Sequence, residues 1–368
     1  MNGLDISLDS PSSLFTQEES DMFNRRSSLF IVLSVMLLLL AACGNNNNGN
    51  NGAQAASPSA SAPASTESAS PASESPAADA ERTIQHVLGQ TKVKGTPSKV
   101  VVLEWTYAED LLALGVQPAG VADITGMKKN VSLPIELAAD VQDVGTRQEP
   151  NLEAITALEP DLIIGVKFRH EATYDQLSAI APTLLFNPYP EEGNGDQYEE
   201  MVNTFKTIAD VVGKNAEAEA VLADLQKTYD DAKAKVAAAG KEGQPIVLAM
   251  AFTNQNAVTF RLTTDNGLAI RILENIGLKN AYKSEQFEAY GFSTKDVEAL
   301  TTLEDADYLH ITNDDAVGDM LSKNAVWTGL KFVKENRMYE LGGDTWPYGG
   351  PHSAQIMAER AAKTLSGQ

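Results

Sequence analysis

Short apolar runs alternate with amphipathic segments along most of this chain, from about residue 81 onward. In the first half, the apolar runs predict buried strands over residues 99–104, 161–166 and 183–186. Apolar positions at helical spacing predict helices between Thr106 and Gly115, over 152–158 and over 174–180, with Thr106 and Asn151 as the first two N-caps. Strands that alternate with helices indicate a mainly parallel sheet in a layered α/β lobe.

A longer amphipathic segment over residues 215–239 separates this half from the next. Its apolar residues recur at helical spacing: Ala218, Val221, Leu222, Leu225, Tyr229, Ala232 and Val236. Asn215 suits the N-cap and Gly240 suits the C-terminal stop. A helix of about 24 residues is about 36 Å long, which is long enough to bridge two lobes.

The α/β pattern then starts again. Apolar runs predict strands over residues 246–251, 308–311 and 337–340, and helical spacing predicts helices over 268–276 and 353–365. A weak internal repeat supports two similar lobes, because residues 297–308 resemble residues 152–162; chance similarity between amphipathic helices is the alternative. The predicted fold class is α/β with two mainly parallel lobes, over residues 81–213 and 241–368, joined by a long helix over 214–240.

The N-terminal region is apolar in one short block only. Arg25 and Arg26 precede an apolar run over residues 29–40, which is too short for a comfortable transmembrane helix of roughly 20 residues. A basic start, a short apolar stretch and small residues after it are typical of a secretory signal. The segment indicates export, with Met22 as an alternative translation start.

The end of that segment, Leu-Ala-Ala-Cys-Gly over residues 40–44, resembles the lipobox of bacterial lipoproteins. The resemblance implies a signal peptide over residues 1–42 and a lipid on Cys43 that anchors the mature protein to a membrane. An uncleaved N-terminal anchor with a chance cysteine is the alternative.

Residues 43–80 form a low-complexity tract of Asn, Gly, Ala, Ser and Pro. The tract lacks aromatic and large apolar residues after Cys43, so it cannot bury a core. It is predicted to be a disordered stalk that holds a folded domain away from the membrane. A stalk of this kind fits a Gram-positive lipoprotein on the extracytoplasmic face of the cell membrane.

Composition excludes several classes of function. The formal net charge of −22 repels nucleic acid. One cysteine allows neither an intramolecular disulfide nor a cysteine-rich zinc cluster. The chain has no Gly-x-Ser-x-Gly elbow, His-Glu-x-x-His motif or P-loop, and four histidines leave little room for a catalytic Ser–His–Asp set. A surface-anchored enzyme is therefore the less favoured alternative.

A stretch over residues 145–164, from Gly145 to Ile164, resembles a signature of ABC-transporter substrate-binding proteins for iron–siderophore complexes. Residues 167–170, 174–177 and 180–183 continue the match, which is closest to the ferric-citrate and hydroxamate or carboxylate siderophore branch. The resemblance covers roughly residues 100–363. It implies two α/β lobes joined by one long rigid helix, with the ligand between the lobes and small opening motions.

The same resemblance implies a monomer that captures an anionic ferric siderophore, such as ferric citrate, and delivers it to a membrane permease. Such a protein needs no cofactor and no metal ligands of its own, because the siderophore already chelates the Fe(III). Direct ligation of Fe(III) by the protein would require tyrosine, histidine and carboxylates together. Of the histidines, only His170 and His352 lie near the proposed cleft. Binding proteins for haem or cobalamin remain alternatives; a zinc binder would need several histidines.

Three arginines are the predicted ligand-binding cations, because a planar guanidinium pairs with carboxylates and stays charged. Arg147 lies in a Gly-Thr-Arg turn, and Arg169 follows a strand, where ligand sites of α/β sheets gather; both match family positions. Arg261, early in the second lobe, would supply the opposing cation. The alternative is ordinary salt bridges, with Glu149 or Asp143, with Glu171 and with Asp265 respectively.

Aromatic residues on loops are the second set of candidates. Trp105 follows the first strand, and Trp346 and Tyr348 lie in a Gly-rich loop over residues 342–350. Such rings can cover one face of a ligand and give it a hydrogen bond. The alternative is that they pack the interface between the lobes.

Glu153 and Glu298 occupy equivalent places in the internal repeat. In the family that the sequence resembles, one acidic residue on each lobe docks onto basic residues of the permease, and charge complementarity suits such docking. The alternative is that each glutamate favours a helix dipole from the first turn, and both roles are compatible.

Overall fold

The computed structural model describes residues 80–367. The predicted signal peptide over residues 1–42, the lipidation site Cys43 and the stalk up to residue 79 lie outside the described residues. Within the described residues, no helix is both long enough and apolar enough to cross a membrane.

The first lobe is built on a five-stranded sheet in which every pair of neighbouring strands is parallel. Its strands are β3 Val100–Val102, β4 Gly120–Val121, β5 Gln142–Asp143, β6 Leu162–Val166 and β7 Thr183–Phe186, in the order β5-β4-β3-β6-β7. The three strands predicted from apolar runs are β3, β6 and β7. The other two have two residues each, too short for a periodic pattern to reveal.

Five helices accompany this sheet: α1 Trp105–Ala113, α2 Ile124–Asn130, α3 Leu152–Ala157, α4 Lys167–His170 and α5 Tyr174–Ile180, with a 3-10 turn over Glu171–Thr173. Asn151 caps α3 as predicted, because its side chain accepts from the amides of Glu153 and Ala154. The predicted cap of α1 is wrong. Glu104 occupies the cap position, and Thr106 lies inside the helix.

Two consecutive helices connect the lobes: α6 Gln197–Val211 and α7 Asn215–Ala238. The second is the predicted long helix of 24 residues; Gly240, at φ 70°, follows its end, while Lys214 and not Asn215 occupies the cap position. The apolar face of α7 packs into the core of the second lobe. The spacing of apolar residues did not predict α6. Its first residue, Gln197, accepts a hydrogen bond from the amide of Leu268 in the second lobe at 3.0 Å.

An antiparallel hairpin, β1 Glu81–His86 and β2 Gly89–Lys94, precedes the first sheet. The guanidinium of Arg82 donates to the carbonyls of Asp210 at 2.8 Å and Val211 at 2.7 Å, and the amide of Val87 donates to the carbonyl of Leu185. The hairpin therefore ties the end of α6 to the first lobe, so that α6 contacts one lobe at each end.

The second lobe contains β8 Pro245–Asn254, β9 Ala257–Thr263, β10 Lys279–Asn280, β11 Phe292–Lys295, β12 Asp307–Ile311 and β13 Met338–Glu340. The strand order is β11-β9-β8-β12-β13, with β10 paired to β8. Strands β8, β10, β12 and β13 pair in parallel. Strand β9 pairs antiparallel with both β8 and β11. The prediction of a mainly parallel sheet did not include β9 and β11.

Helices cover both faces of this second sheet. They are α8 Leu268–Asn275, α9 Ala316–Ser322, α10 Ala325–Gly329, α11 Lys331–Lys334 and α12 Pro351–Ser366, with a 3-10 helix over Val297–Thr302. Along β8, Ile246 and Leu248 join a core with α7, α8 and α12, whereas Val247 and Ala249 join the core on the opposite face. The sheet is therefore a central layer buried on both sides.

Candidate functional site

The carboxyl ends of the first-lobe strands carry the candidate residues. Glu104 and Trp105 follow β3, Arg147 lies beyond β5, Arg169 follows β6 within α4, and Tyr189 lies beyond β7. Because all five strands are parallel, these loops meet at one edge of the sheet, where open α/β sheets bind ligands. Sequence-distant side chains are thereby brought together.

A buried carboxylate lies between the two first-lobe arginines. Glu104 Oε1 accepts from Arg147 Nη1 at 2.7 Å, and Glu104 Oε2 accepts from Arg169 Nε at 3.2 Å. The exposed fractions of the three side chains are 9% for Glu104, 4% for Arg147 and 2% for Arg169. Both arginines therefore pair with Glu104, an acid that is far from each of them in sequence and that the sequence did not suggest as their partner.

Burial opposes the ionisation of Glu104, but the charges of Arg147 and Arg169 outweigh it and lower the pKa of this carboxyl. The carboxylate also accepts from the amide of Trp105 at 3.1 Å. The three charged side chains together carry one excess positive charge. An anionic ligand group that met this cluster would complete its neutralisation.

His170 holds the same cluster from behind. The amide of Val166 donates to His170 Nδ1 at 3.0 Å, so Nε2 carries the hydrogen and donates to the carbonyl of Arg147 at 2.9 Å. Burial lowers the pKa of His170 to about 4, and the ring is therefore neutral at physiological pH. Both ring nitrogens are used in backbone hydrogen bonds, so His170 has a structural role in holding the backbone at Arg147.

The second lobe supplies Arg261 from β9. It is 8% exposed, and its guanidinium carbon lies 4.8 Å from the ring centre of Phe292 and 5.2 Å from that of Phe252. Burial raises the pKa of the Tyr348 phenol, and the charge and hydrogen bond of Arg261 act in the opposite direction. Tyr348 therefore stays protonated beside this arginine. Asp265, the suggested salt-bridge partner, pairs with Lys283 at 2.7 Å.

Seven aromatic rings form a chain that passes from the first lobe into the second and back. We call this chain the aromatic belt: Trp105, Trp346, Tyr348, Phe292, Tyr290, Tyr189 and Phe168, in that order. Successive ring centres lie between 4.9 and 6.3 Å apart. The belt crosses between the lobes twice, at the Trp105–Trp346 contact of 5.1 Å and at the Tyr189–Tyr290 contact of 4.9 Å.

The arginines and the belt form one unit. The guanidinium carbon of Arg147 lies 3.5 Å from the Trp105 ring centre and 5.7 Å from that of Trp346, and that of Arg169 lies 4.6 Å from Phe168. These cation–π contacts hold the cations in a fixed position among flat apolar surfaces. We call the three arginines and the belt together the interlobe site. Its chemistry suits a ligand that is anionic and has flat apolar faces.

A family model for the periplasmic binding protein matches residues 100–345, which includes strands of both sheets. The chain belongs to the periplasmic binding protein family. This is a family of binding proteins for transport, so the alternative of a surface-anchored enzyme is set aside.

Individual relatives of this periplasmic binding protein support the same placement. It is 33% identical over 287 residues to the Fe(3+)-citrate-binding protein YfmC of Bacillus subtilis (strain 168), covering 77% of this chain and 86% of the relative. It is also 33% identical over 275 residues to the putative ABC transporter substrate-binding lipoprotein YhfQ of the same organism, covering 72% and 81% respectively.

Among solved structures, the siderophore-binding protein FhuD from Vibrio cholerae, determined with Fe3+–Desferal, superposes with a TM-score of 0.67 at 29% identity. The match covers 73% of this chain and 98% of that one. The family suggested by residues 145–164 and the two-lobe α/β fold are thus confirmed.

Several residues in and beside the interlobe site of this periplasmic binding protein were not predicted from the sequence. Phe168 and Tyr189 lie just beyond strand ends, and the strand-end rule that selected Arg169 would have found them. Tyr290 and Phe292 flank Gly291, which has φ 76°, and only this turn signal marked them. Glu104 ends an apolar run, and nothing in the local pattern indicated that it holds two arginines.

The other residues that the sequence singled out, Glu153, Glu298 and His352, are not part of the aromatic belt. Glu153 and Glu298 are both exposed and both lie in the first turn of their helices, as the internal repeat predicted. His352 Nδ1 contacts Gln355 Oε1 at 2.9 Å. Among residues 80–367, no group of three or more histidine, cysteine or acidic side chains is placed to hold a metal ion.

Proposed function

We propose that this protein captures an anionic ferric siderophore of the ferric citrate class at the interlobe site and passes it to the permease of an ABC importer. Relatives named for ferric citrate and siderophore binding support this proposal. The iron arrives inside its own chelate, so the protein needs to recognise only the outer surface of the complex. No cofactor takes part.

The observation that carries the proposal is the presence of arginines on both lobes within one aromatic belt. Arg147 and Arg169 belong to the first lobe, and Arg261 belongs to the second. Carboxylates match the forked guanidinium group, and charge-assisted bonds of this kind are the strong ones. The rings would cover the apolar parts of the chelate. Ligand charge and ligand shape would thus be recognised by different residues.

The first experiment follows the intrinsic tryptophan emission, because Trp105 and Trp346 are both part of the interlobe site. The protein is titrated with ferric citrate, ferric hydroxamate siderophores, cobalamin and haem. We expect sub-micromolar binding of at least one anionic ferric complex. No response to any siderophore, together with tight binding of haem or cobalamin, would overturn the proposal in favour of those ligands.

The second experiment tests the cations. Arg169→Ala removes a charged partner from the site and leaves Glu104 with Arg147 alone, so the affinity for the ferric complex should fall by about 1.5–3 kcal/mol. Arg271→Ala is the matched control, since Arg271 lies on α8, is 44% exposed and pairs with Asp196 and Glu274. Equal affinities of the two variants would remove Arg169 from the binding site.

Delivery to the importer is the second half of the proposal. A lipid on Cys43 would hold the protein at the extracytoplasmic face of the cell membrane, most simply in a Gram-positive cell, and the names of two relatives include the word lipoprotein. Exposed Glu153 and Glu298, one on each lobe, would then contact basic residues of the permease.

A further inference from the structure

Helix α1 of the first lobe faces the start of helix α12 in the second lobe. Glu109 of α1 is completely buried. Its Oε1 accepts from the amide of Ser353 at 2.7 Å, and its Oε2 accepts from the Ser353 hydroxyl at 2.6 Å. A carboxylate of one lobe therefore binds the first turn of a helix of the other lobe, 244 residues further along the chain.

Helix α12 requires such a partner. It has 16 residues, begins after Gly350 and receives no side-chain cap from its own N-terminal loop. The first amides of a helix have no partner within the helix, and they carry a partial positive charge that favours an anion. The residue just before a helix usually supplies that group. Gly350 has no side chain that could supply this group, and the carboxyl group of Glu109 supplies it instead.

The segment ahead of α12 carries part of the interlobe site. Trp346 and Tyr348 belong to the aromatic belt and precede α12 by only a few residues. Thr106, one turn before Glu109 on α1, donates from its hydroxyl to the carbonyl of Tyr348 at 2.8 Å. A Cβ atom on Gly349 would lie 2.6 Å from Glu109 Oε2, which leaves no space for a side chain. Helix α1 therefore holds this segment, residues 346–350, at Tyr348 and again at Ser353, three residues beyond its end.

Glu109 and its neighbour Asp110 are both buried carboxyls, and their surroundings differ. Burial raises the pKa of Asp110 well above its usual range, and the charges of Glu109 and Glu200 raise it further. Burial also raises the pKa of Glu109, but the bonds from Ser353 and the charge of His352 act against this. Burial therefore opposes ionisation more strongly at Asp110 than at Glu109, and Glu109 is the carboxyl that accepts from Ser353.

We propose that Glu109, together with Thr106, is a positioning residue for ligand binding: it holds the 346–350 segment so that Trp346 and Tyr348 complete the aromatic belt. The ligand-binding part of this inference rests on the proposed function. Glu109 contacts no ligand itself and acts through the segment. Any change in the relative position of the lobes that separates α1 from α12 would release the two rings.

The test uses graded variants of the full-length protein. Glu109→Ala removes both acceptors, and we expect the affinity for ferric citrate to fall by about tenfold. Glu109→Gln keeps one acceptor for the Ser353 amide and should recover part of that loss. Thr106→Val removes only the bond to Tyr348 and should reduce affinity by about threefold. If Glu109→Ala fails to fold, the two milder variants decide the question.

A matched control is Asn324→Ala. Asn324 caps α10 in the same lobe by accepting from the amides of Val326 and Trp327 at 2.8 and 3.0 Å, and α10 carries no residue of the belt. This variant should lower the melting temperature while the affinity for ferric citrate stays at the wild-type value.

The second measurement is hydrogen exchange of the amides of residues 345–353 in the ligand-free protein, which reports on the segment without any ligand. Exchange should accelerate in the Glu109 and Thr106 variants and stay unchanged in Asn324→Ala. Wild-type affinity in the Glu109 and Thr106 variants, or reduced affinity with unchanged exchange, would overturn the proposal. If wild-type protein binds no ferric complex, the proposed function fails, whereas accelerated exchange would still support Glu109 as the residue that fixes the segment.

Discussion

At the scale of single residues, Glu104 determines the arrangement of the first-lobe cations. Two guanidinium groups of like charge would repel each other if they were buried together without an anion. Glu104 contacts both at hydrogen-bond distance and leaves a net charge of one. The sequence indicated the two arginines, because they follow strands and match family positions, but it did not indicate what holds them.

A substitution at Glu104 tests this arrangement. Glu104→Gln keeps the size of the side chain but removes its charge, so the two buried arginines lose the carboxylate that they share. We expect the free energy of unfolding of the ligand-free protein to fall by roughly 2–4 kcal/mol, measured by urea denaturation. Glu149→Gln is the control, because Glu149 is exposed and close to Arg147 in sequence; a similar loss in both variants would contradict the central role of Glu104.

At the scale of elements, α6 contacts both lobes. Gln197 at its start binds the second lobe, and the carbonyl of Val211 at its end accepts from Arg82 of the hairpin. Between them, Glu200 is half-buried, and Thr204 donates to its Oε1 at 2.6 Å. Burial is the largest influence on this carboxyl and raises the pKa of Glu200 to about 7.

Because the pKa of Glu200 is raised in the folded protein, the free energy of unfolding depends on pH. The folded protein keeps a proton on Glu200 that the unfolded chain releases above about pH 4.5. The contribution of Glu200 to stability is therefore complete below pH 4.5 and is lost as the pH rises to about 7. Because the side chain is only half-buried, we expect a loss of roughly 2 kcal/mol across this range.

Denaturation of the wild-type protein and of Glu200→Gln at several pH values measures this effect. The difference in unfolding free energy between the two proteins should change between pH 4.5 and 7 and stay constant above pH 7. Glu199→Gln alters an exposed neighbour on the same helix and should follow the wild-type curve. A constant difference between wild type and Glu200→Gln over the whole range would rule out the raised pKa.

At the scale of the whole molecule, the two residues proposed for docking, Glu153 and Glu298, are exposed and lie one on each lobe. Changing Glu153 and Glu298 together to lysine should reduce uptake of the ferric complex by cells at least about threefold, because like charges would face the permease. The affinity of the purified protein for the complex should not change. Glu219→Lys, an exposed site on α7, is the control, and equal uptake by the control and the double variant would exclude this docking surface.

The predicted anchor belongs to the same scale. Cys43→Ser removes the atom that would carry the lipid, and a lipid anchor raises the local concentration of a binding protein beside its permease. We expect the variant to appear in the culture medium, detected by immunoblotting, while the affinity for the ferric complex stays the same. Full retention of Cys43→Ser in the membrane fraction would favour the uncleaved anchor.

The sequence by itself determined the elements and the family. Apolar runs indicated β3, β6 and β7, and helical spacing indicated α7 to within one residue at each end, because these patterns depend on neighbours within a few positions. The stretch over residues 145–164 was specific enough to indicate the family and, with it, Arg147 and Arg169. The two-residue strands β4 and β5 and the polar hairpin strands β1 and β2 were not indicated, because none of them contains an apolar run of three or more residues.

Tertiary structure alone decided how these parts work together. Glu104 and Arg147 are 43 residues apart, and Glu109 and Ser353 are 244 residues apart, so no local pattern relates them. The aromatic belt likewise joins rings from loops of both lobes. Such contacts exist only because parallel strands bring their carboxyl ends to one edge and because α1 meets α12 across the lobes. The sequence specified which residues could bind, and packing specified which of them meet.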